Sequence, residues 1–514
     1  MGHKGLYIDG WYQKISDSYE KGLSLSSMAA IRRARKAWII GNICMVKIRF
    51  LGAAEQVTGS CFLLDTGQET VLIDCGMFQG GHATFMRNYD PFGFDPAKVD
   101  HMILSHAHAD HSGRIPLLVN RGYKGKIHCH AATAELADLI VMDSAHIHEV
   151  EAGWRSRKNK RKGRGPVEPL YTIADARTAL KRLDRCGYHQ TVKLSDSISF
   201  TLHDAGHILG SSIVELDIRT RDNGPGKKIV FSGDLGRPGQ PIIKDPEFLT
   251  SADFLVIEST YGARHHRPIS DTKEELAAII RQAAKTDSNI IIPSFAVGRT
   301  QELIFYIREL MGEGRIPKTY KNIYVDSPMA TSATGIYENA VRECYGEEAL
   351  QYYDNHLSPL RFEGLHFVSS VDESMLLNMT PGGQIIISAS GMCDAGRILH
   401  HLRHNLWNEK SHIVFVGFQA EGTKGRKIVD GAATVKIMRE EISINAKIHT
   451  LNALSAHADS NGLIEWASAF NPAPKLTMVV HGEKEQAEGL KKRLKEELGL
   501  ITTIPVMGET ITLV

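Results

Sequence analysis

The stretch ILSHAHADHSGRIP, Ile103 to Pro116, places His106, His108, Asp110 and His111 directly after an apolar run. Neutral imidazole and carboxylate are good ligands for zinc and similar borderline metals. His106 and His108 alternate, so both face one side at a strand end. Asp110 and His111 follow on the turn and can face a second ion. One ion rarely takes four ligands from so short a segment, because the backbone cannot wrap it. Two ions a few ångströms apart fit better. Such a pair suits hydrolysis, with a shared hydroxide attacking while both ions hold the developing charge. The competing reading is a His-rich surface turn, and candidate ligands at other strand ends argue against it.

Those ends lie on both sides of the stretch. Asp74 follows a strand in LIDCG, His207 in LHDAGHILGSS, Asp234 in VFSGDLG and His481 in MVVHGE. A single His or Asp in such a place is usually a hydrogen-bonded turn residue. The shared pattern is what points to a metal centre.

From Val46 to about Gly262 short apolar runs closed by Gly, Asp or Ser predict strands, with helices at TAELADLIVMDSAHI and DARTALKRLDRCG. Sheets packed on each other and covered by helices are expected. From about Tyr261 to Gly425 strands and helices alternate, as in SDTKEELAAIIRQAAKT followed by NIIIPSF, which predicts a parallel sheet with crossover helices. Strand ends carrying His then return. The boundaries expected are an N-terminal extension over 1–44, a first domain over 45–262 resumed over 426–514, and an inserted α/β domain over 263–425. Met45 is expected to be the functional start.

Composition narrows the class. A chain of 514 residues with 42% apolar and 23% charged content is globular and too long for one ordinary domain. A net charge of +1 gives no global attraction for polyanions, so any such site is local. The seven cysteines are scattered without a CxxC pair, which excludes a thiolate zinc site and fits a reducing, cytoplasmic location. No apolar run approaches the roughly 18 residues of a membrane span.

LIDCG, HAHADH, GHILGS and FSGDLG, in this order, resemble the signature of the metallo-β-lactamase fold, an αββα sandwich. The resemblance implies two Zn2+ per chain, one held by His106, His108 and His207 and the other by Asp110, His111 and His481. Asp234 would bridge them, and Asp74 would orient ligands and hydroxide. The Cys ligand common in lactam-cleaving members is missing, which leans against antibiotic hydrolysis. Glu258 in IESTYG, His457 in LSAHAD and His481 in VVHGE are similar to the further motifs of the β-CASP subgroup, whose members carry an inserted α/β domain and act on nucleic acids. IPSFAVGRTQE, DSPMA, ISASGMCDAGR and GFQAEGTKGR resemble segments of that insert. The likeness runs from Met45 to the C-terminus. It is strongest to bacterial and archaeal relatives of the nuclease subunit of the cleavage and polyadenylation specificity factor.

What this implies is a zinc-dependent ribonuclease hydrolysing phosphodiester bonds of single-stranded RNA, by two-metal hydroxide attack with His457 as general acid. Glu258 beside it would keep it protonated. Ser390 and Gly391, before a helix expected near Ala395, together with Arg299 and Arg426, are candidates for holding phosphates. His400, His401 and His404 are expected on a solvated helix face. WRSRKNKRKGRG, Trp154 to Gly165, reads as a basic loop and a local polyanion patch. The alternatives are a DNA-directed nuclease of the same superfamily, an inactive RNA-binding scaffold, and a small-molecule metallohydrolase. RNase J-type members add a C-terminal domain, and others an RNA-binding KH module. The chain ends soon after GETITL and carries no KH module before Met45, so a minimal nuclease core is expected. A homodimer, the mode of cleavage and the RNA sequence preference stay open.

Overall fold

The computed structural model describes residues 45–219, 226–317, 320, 322–340, 342–417, 419–451 and 455–514. The expectation of an extension before Met45 lies outside the described residues.

Two seven-stranded sheets stack face to face. The first runs Thr510–Leu513, Val46–Phe50, Phe62–Asp65, Thr70–Ile73, His101–Ile103, Ile127–His130 and Leu183–Cys186. The second runs Thr502–Thr503, Leu476–Val480, Phe254–Glu258, Lys227–Phe231, Ser212–Ile218, Ile198–Asp204 and Val192–Lys193. Val46, Ile48 and Phe50 point inward while Lys47 and Arg49 do not, the period-2 signature of a strand with one buried face. Between the sheets the Phe62 and Phe231 rings lie 6.0 Å apart. Leu463, Trp466, Leu490 and Leu494, from the helices Ser460–Ser468 and Lys484–Leu498, cover the outer face of the second sheet. The long helix Ala131–Lys160 and the helix Ile173–Leu180 cover the first. The result is the αββα sandwich.

A third sheet, six strands and wholly parallel, runs Leu365–Phe367, Asn322–Val325, Gln384–Ser388, Ile290–Pro293, His412–Phe415 and Lys447–Thr450. Ile290 and Ile292 join one apolar cluster and Ile291 the other, so both faces are buried. That is why IIIP and QIIIS read as unbroken apolar runs.

Three details differ from expectation. The insert's sheet takes its last strand from Lys447–Thr450, beyond Gly425. That strand is short and polar and gives little signal. Trp154 to Lys160 is not loop: the helix from Ala131 is continuous to Lys160. Arg and Lys are good helix formers, and cations at a helix C-terminus oppose its dipole. The helix after Gly391 begins at Ile398, not near Ala395, with a turn between.

Candidate metal centre

Asp74, His106, His207, Asp234 and His481 follow the C-terminal ends of strands, His108 caps the short helical turn Ala109–Ser112 that carries Asp110 and His111, and all of them gather along one edge of the sandwich. Asp74, His106, His207, Asp234 and His481 are each at most 4% exposed. Packing so many loop ends together requires backbone to touch backbone. A Cβ on Gly76 would lie 1.5 Å from the Asp110 carbonyl oxygen, and one on Gly236 1.6 Å from that of Gly206. Only glycine lets LIDCG close on the His turn and FSGDLG on the loop bearing His207.

Two sets of donor atoms result. In the first, His108 Nδ1 is 3.2 Å from both His106 Nε2 and His207 Nε2. Asp234 Oδ2 is 3.5 Å from His106 Nε2 and 3.6 Å from His207 Nε2. In the second, His111 Nε2 is 3.2 Å from His481 Nε2, and Asp110 Oδ2 is 3.5 Å from His481 Nε2. Asp234 Oδ1 lies 3.3 Å from His111 Nε2 and accepts no well-aligned hydrogen bond. An ion held tetrahedrally at about 2.0–2.1 Å separates its ligand atoms by about 3.3–3.4 Å. Both sets have that spacing. A cavity of about 10 Å3, bounded by Ser60, Asp74, His111, Asp234 and His481, adjoins the second set. The donors therefore fit two zinc-like cations sharing Asp234.

Electrostatics agrees. Burial and the neighbouring imidazoles push His106 and His207 well below the ordinary histidine value, and His108 is lowered chiefly by burial. The shifts favour the neutral imidazole that a metal ion needs at all three. Burial resists ionisation of Asp234, yet His111, His481 and His106 outweigh it and hold the carboxyl well below its usual range. Burial also resists protonation of His111, but Asp234 and Asp74 overcome it and raise its value well above normal. Positive charge is favoured at that point of the cluster.

Asp74 belongs to neither donor set but holds a member of the second. Its Oδ2 is 2.7 Å from His111 Nδ1 and accepts from Ser105 Oγ, while Oδ1 accepts from Ser105 N at 2.7 Å. Asp74 therefore accepts a hydrogen bond from His111 Nδ1–H, which orients the ring so that Nε2 points into the second set. Thr260 Oγ1 stands 3.1 Å from His481 Nδ1. Ser60, Ser105 and Thr260 carry no sequence signal, since small hydroxyl residues are common in turns. The motifs around them are the only clue.

His457 lies beside the first set, its ring 4.4 Å from that of His207. An isolated bridge between Gly236 and His457 fixes it. Its Nδ1 is 3.0 Å from Glu258 Oε1, and the fully buried Glu258 also accepts from Leu235 N and Thr260 N. Burial disfavours the charged ring, but Glu258 outweighs it, with help from Asp234 and Asp110, and the value is pushed up to about 9. With Nδ1 given to Glu258, Nε2 has no hydrogen-bond partner among the described residues.

The expected phosphate-holding residues lie on the insert, at the C-terminal end of its sheet. Ser390 Oγ donates to Ala395 O, and a Cβ on Gly391 would press on the Phe295 ring at 3.0 Å. The turn before Ile398 separates them from any helix amides. Arg299 is buried and paired with Glu302 on its own helix, and Arg426 is paired with Asp430 at 2.8 Å. The insert meets the loop after His207, where Tyr337 Oη accepts from Leu209 N at 3.3 Å. His400 and His404 are exposed as expected. His401 is not: it is fully buried, its Nε2 2.6 Å from Asp326 Oδ2. That buried pairing corrects the solvated-face expectation for His401.

Comparison with known families gives three matches along the chain. Residues 54–184 match the metallo-beta-lactamase superfamily, residues 300–428 the Beta-Casp domain, and residues 441–506 the Zn-dependent metallo-hydrolase RNA specificity domain. The chain is 36% identical over 443 residues to Ribonuclease TTHA0252 of Thermus thermophilus, covering 86% of this chain and 94% of that protein. It is 30% identical to an RNase J-like protein of Methanocaldococcus jannaschii, covering 90% and 99%. It is 31% identical to Transcription termination factor FttA of the same organism, covering 93% and 74%. No helix among the described residues is long and apolar enough to cross a membrane.

Proposed function

The chain belongs to the β-CASP metallo-β-lactamase-fold nucleases, metal-dependent hydrolases, and from that premise we propose that it is a zinc-dependent ribonuclease cutting phosphodiester bonds of single-stranded RNA. The observation that carries this reading is the pair of donor sets sharing Asp234, with the Glu258-held His457 at their edge. The names of two relatives, a ribonuclease and an RNase J-like protein, support RNA as the substrate.

His106, His108 and His207 would hold one Zn2+ and Asp110, His111 and His481 the other, with Asp234 common to both. When bound, the ions would supply Lewis acidity that activates water and neutralises phosphate charge. The chain's own groups do the rest. Asp74 and Ser105 fix the His111 ring, and Thr260 fixes His481. Glu258 holds the Nδ1 proton of His457, which leaves the proton on Nε2 for the departing oxygen. Ser390, Gly391, Arg299 and Arg426 would line the path of the strand on the insert. A cytoplasmic location belongs to the same proposal.

The test is cleavage of end-labelled single-stranded RNA and matched DNA, with chelator and with zinc restored. Chelator-sensitive cleavage of RNA that spares DNA is the expected result. Cleavage of DNA alone, or of neither with both ions bound, would overturn the reading.

A further inference from the structure

We propose that the basic end of the long helix and the turn after it, Trp154 to Arg164, form a docking surface for the RNA backbone outside the metal centre, one that grips the strand at a distance from the cut. This rests on the ribonuclease reading above.

Seven basic residues and no acidic one lie between Trp154 and Gly165. Arg155 pairs with Glu151 at 3.4 Å. Arg157, Lys158, Lys160, Arg161, Lys162 and Arg164 meet no carboxylate among the described residues, and all six are exposed. The helix dipole accounts for a cation or two in the last turn, not for this many. Arg157 and Lys160 stand three residues apart within the helix, where like charges destabilise it, and Arg161 and Lys162 add charge at its cap and in the next turn. A polyanion from outside relieves that repulsion. Trp154 adds a second feature. It is 44% exposed, with the Lys158 ammonium 5.2 Å over its ring. An open aromatic face beside cations is what a single strand stacks on.

The surface is rigidly joined to the centre. The helix is capped by His130, whose Nε2 is 3.0 Å from Glu343 Oε1 of the insert. It packs on the turn Ala109–Ser112 that carries Asp110 and His111. Val141 and Ala145 share a buried cluster with Met77 and Leu117 below that turn. Lys160 lies about four turns, ~22 Å, beyond Ala145. At ~3.4 Å per stacked nucleotide that length of helix alone matches roughly six nucleotides, and the centre lies beyond it. An RNA shorter than that spans the centre without meeting the basic end.

The experiment uses the full chain and the variant Arg157→Gln/Lys160→Gln/Arg161→Gln/Lys162→Gln, with RNAs of about 5 and about 20 nucleotides. Binding is read by anisotropy in chelator over a salt series, and cleavage with zinc present. The long RNA should bind the variant at least ~10-fold more weakly at low salt. Its log–log salt slope should be shallower by up to ~3, given ~0.7 per phosphate contact on a single strand. Cleavage of the short RNA should be unchanged. Equal slopes for the two proteins, with short-RNA cleavage intact, would overturn the docking surface and leave the ribonuclease standing. Equal losses on short and long RNA would also overturn it. So would a wild-type protein that binds anionic vesicles through this end while the long RNA gains nothing. Failure of the wild type to cut either RNA would remove the ribonuclease reading and this one with it.

Discussion

In the metal centre, the floor of the candidate site, Asp234 divides its two oxygens between two sets of imidazoles that face one another. On the insert, its rim, Arg299 and Arg426 each direct their charge to a nearby carboxylate, Glu302 and Asp430. The floor is a set of converging donors whose best partner is a cation from outside. The rim is already neutralised, so a phosphate on the proposed path would compete with a carboxylate in place. The two regions should therefore answer mutation differently: the floor through chemistry, the rim through stability and binding.

The sharpest test of the floor is Asp234→Ala. Removing the shared carboxylate should cost both ions and lower RNA cleavage at least ~10³-fold. Metal analysis beside the cleavage assay checks it, and a variant that keeps both ions would end the bridging role. His457→Ala should keep both ions and lose about 10²–10⁴-fold in rate. A wild-type rate would remove His457 from the mechanism. Asp74→Asn acts one step back, through His111, and should weaken zinc binding ~10–100-fold in a competitive chelator titration.

The rim should behave otherwise. Arg299→Ala leaves Glu302 buried without its partner, a loss on the order of 3 kcal/mol in stability, read by denaturant unfolding. Arg426→Gln, whose residue is exposed, should leave stability untouched and raise KM only a few-fold. If Arg299→Ala unfolds like wild type while its KM rises steeply, the contrast between floor and rim fails.

The smallest effect concerns a group away from both. Burial pulls His203 down, but Glu215 and Glu247, 3.1 and 3.6 Å from its two nitrogens, raise it to about 9. Its stabilising contribution is complete below about pH 6.5 and is lost as pH rises through about 9. Thermal midpoints should fall across that window, and Glu215→Gln should flatten the fall.

The centre was legible because its residues punctuate apolar strands at the same end, and because residues of such chemistry rarely recur so by accident. The residues that orient them were not, since Ser105 and Thr260 differ from any turn Ser or Thr only by what they touch. The insert's interior strands stood out as apolar runs, whereas Lys447–Thr450 at the sheet's edge has no such run. The basic segment misled because charge resembles loop, although Arg and Lys extend a helix well. His401 looked like its neighbours His400 and His404, and only the approach of Asp326 from another strand end distinguishes it.

Gly76 and Gly236 bring main chain against main chain beneath the centre. A lineage that acquires any side chain at either position must shift the loops that carry the chemistry, so variation there is closed. On the insert, Phe295 faces solvent and Ser390 is only half covered. If the insert carries the strand as proposed, selection for altered substrate range would find room for change around Phe295 and Ser390 and none at the two glycines, letting preference drift while the reaction stays fixed.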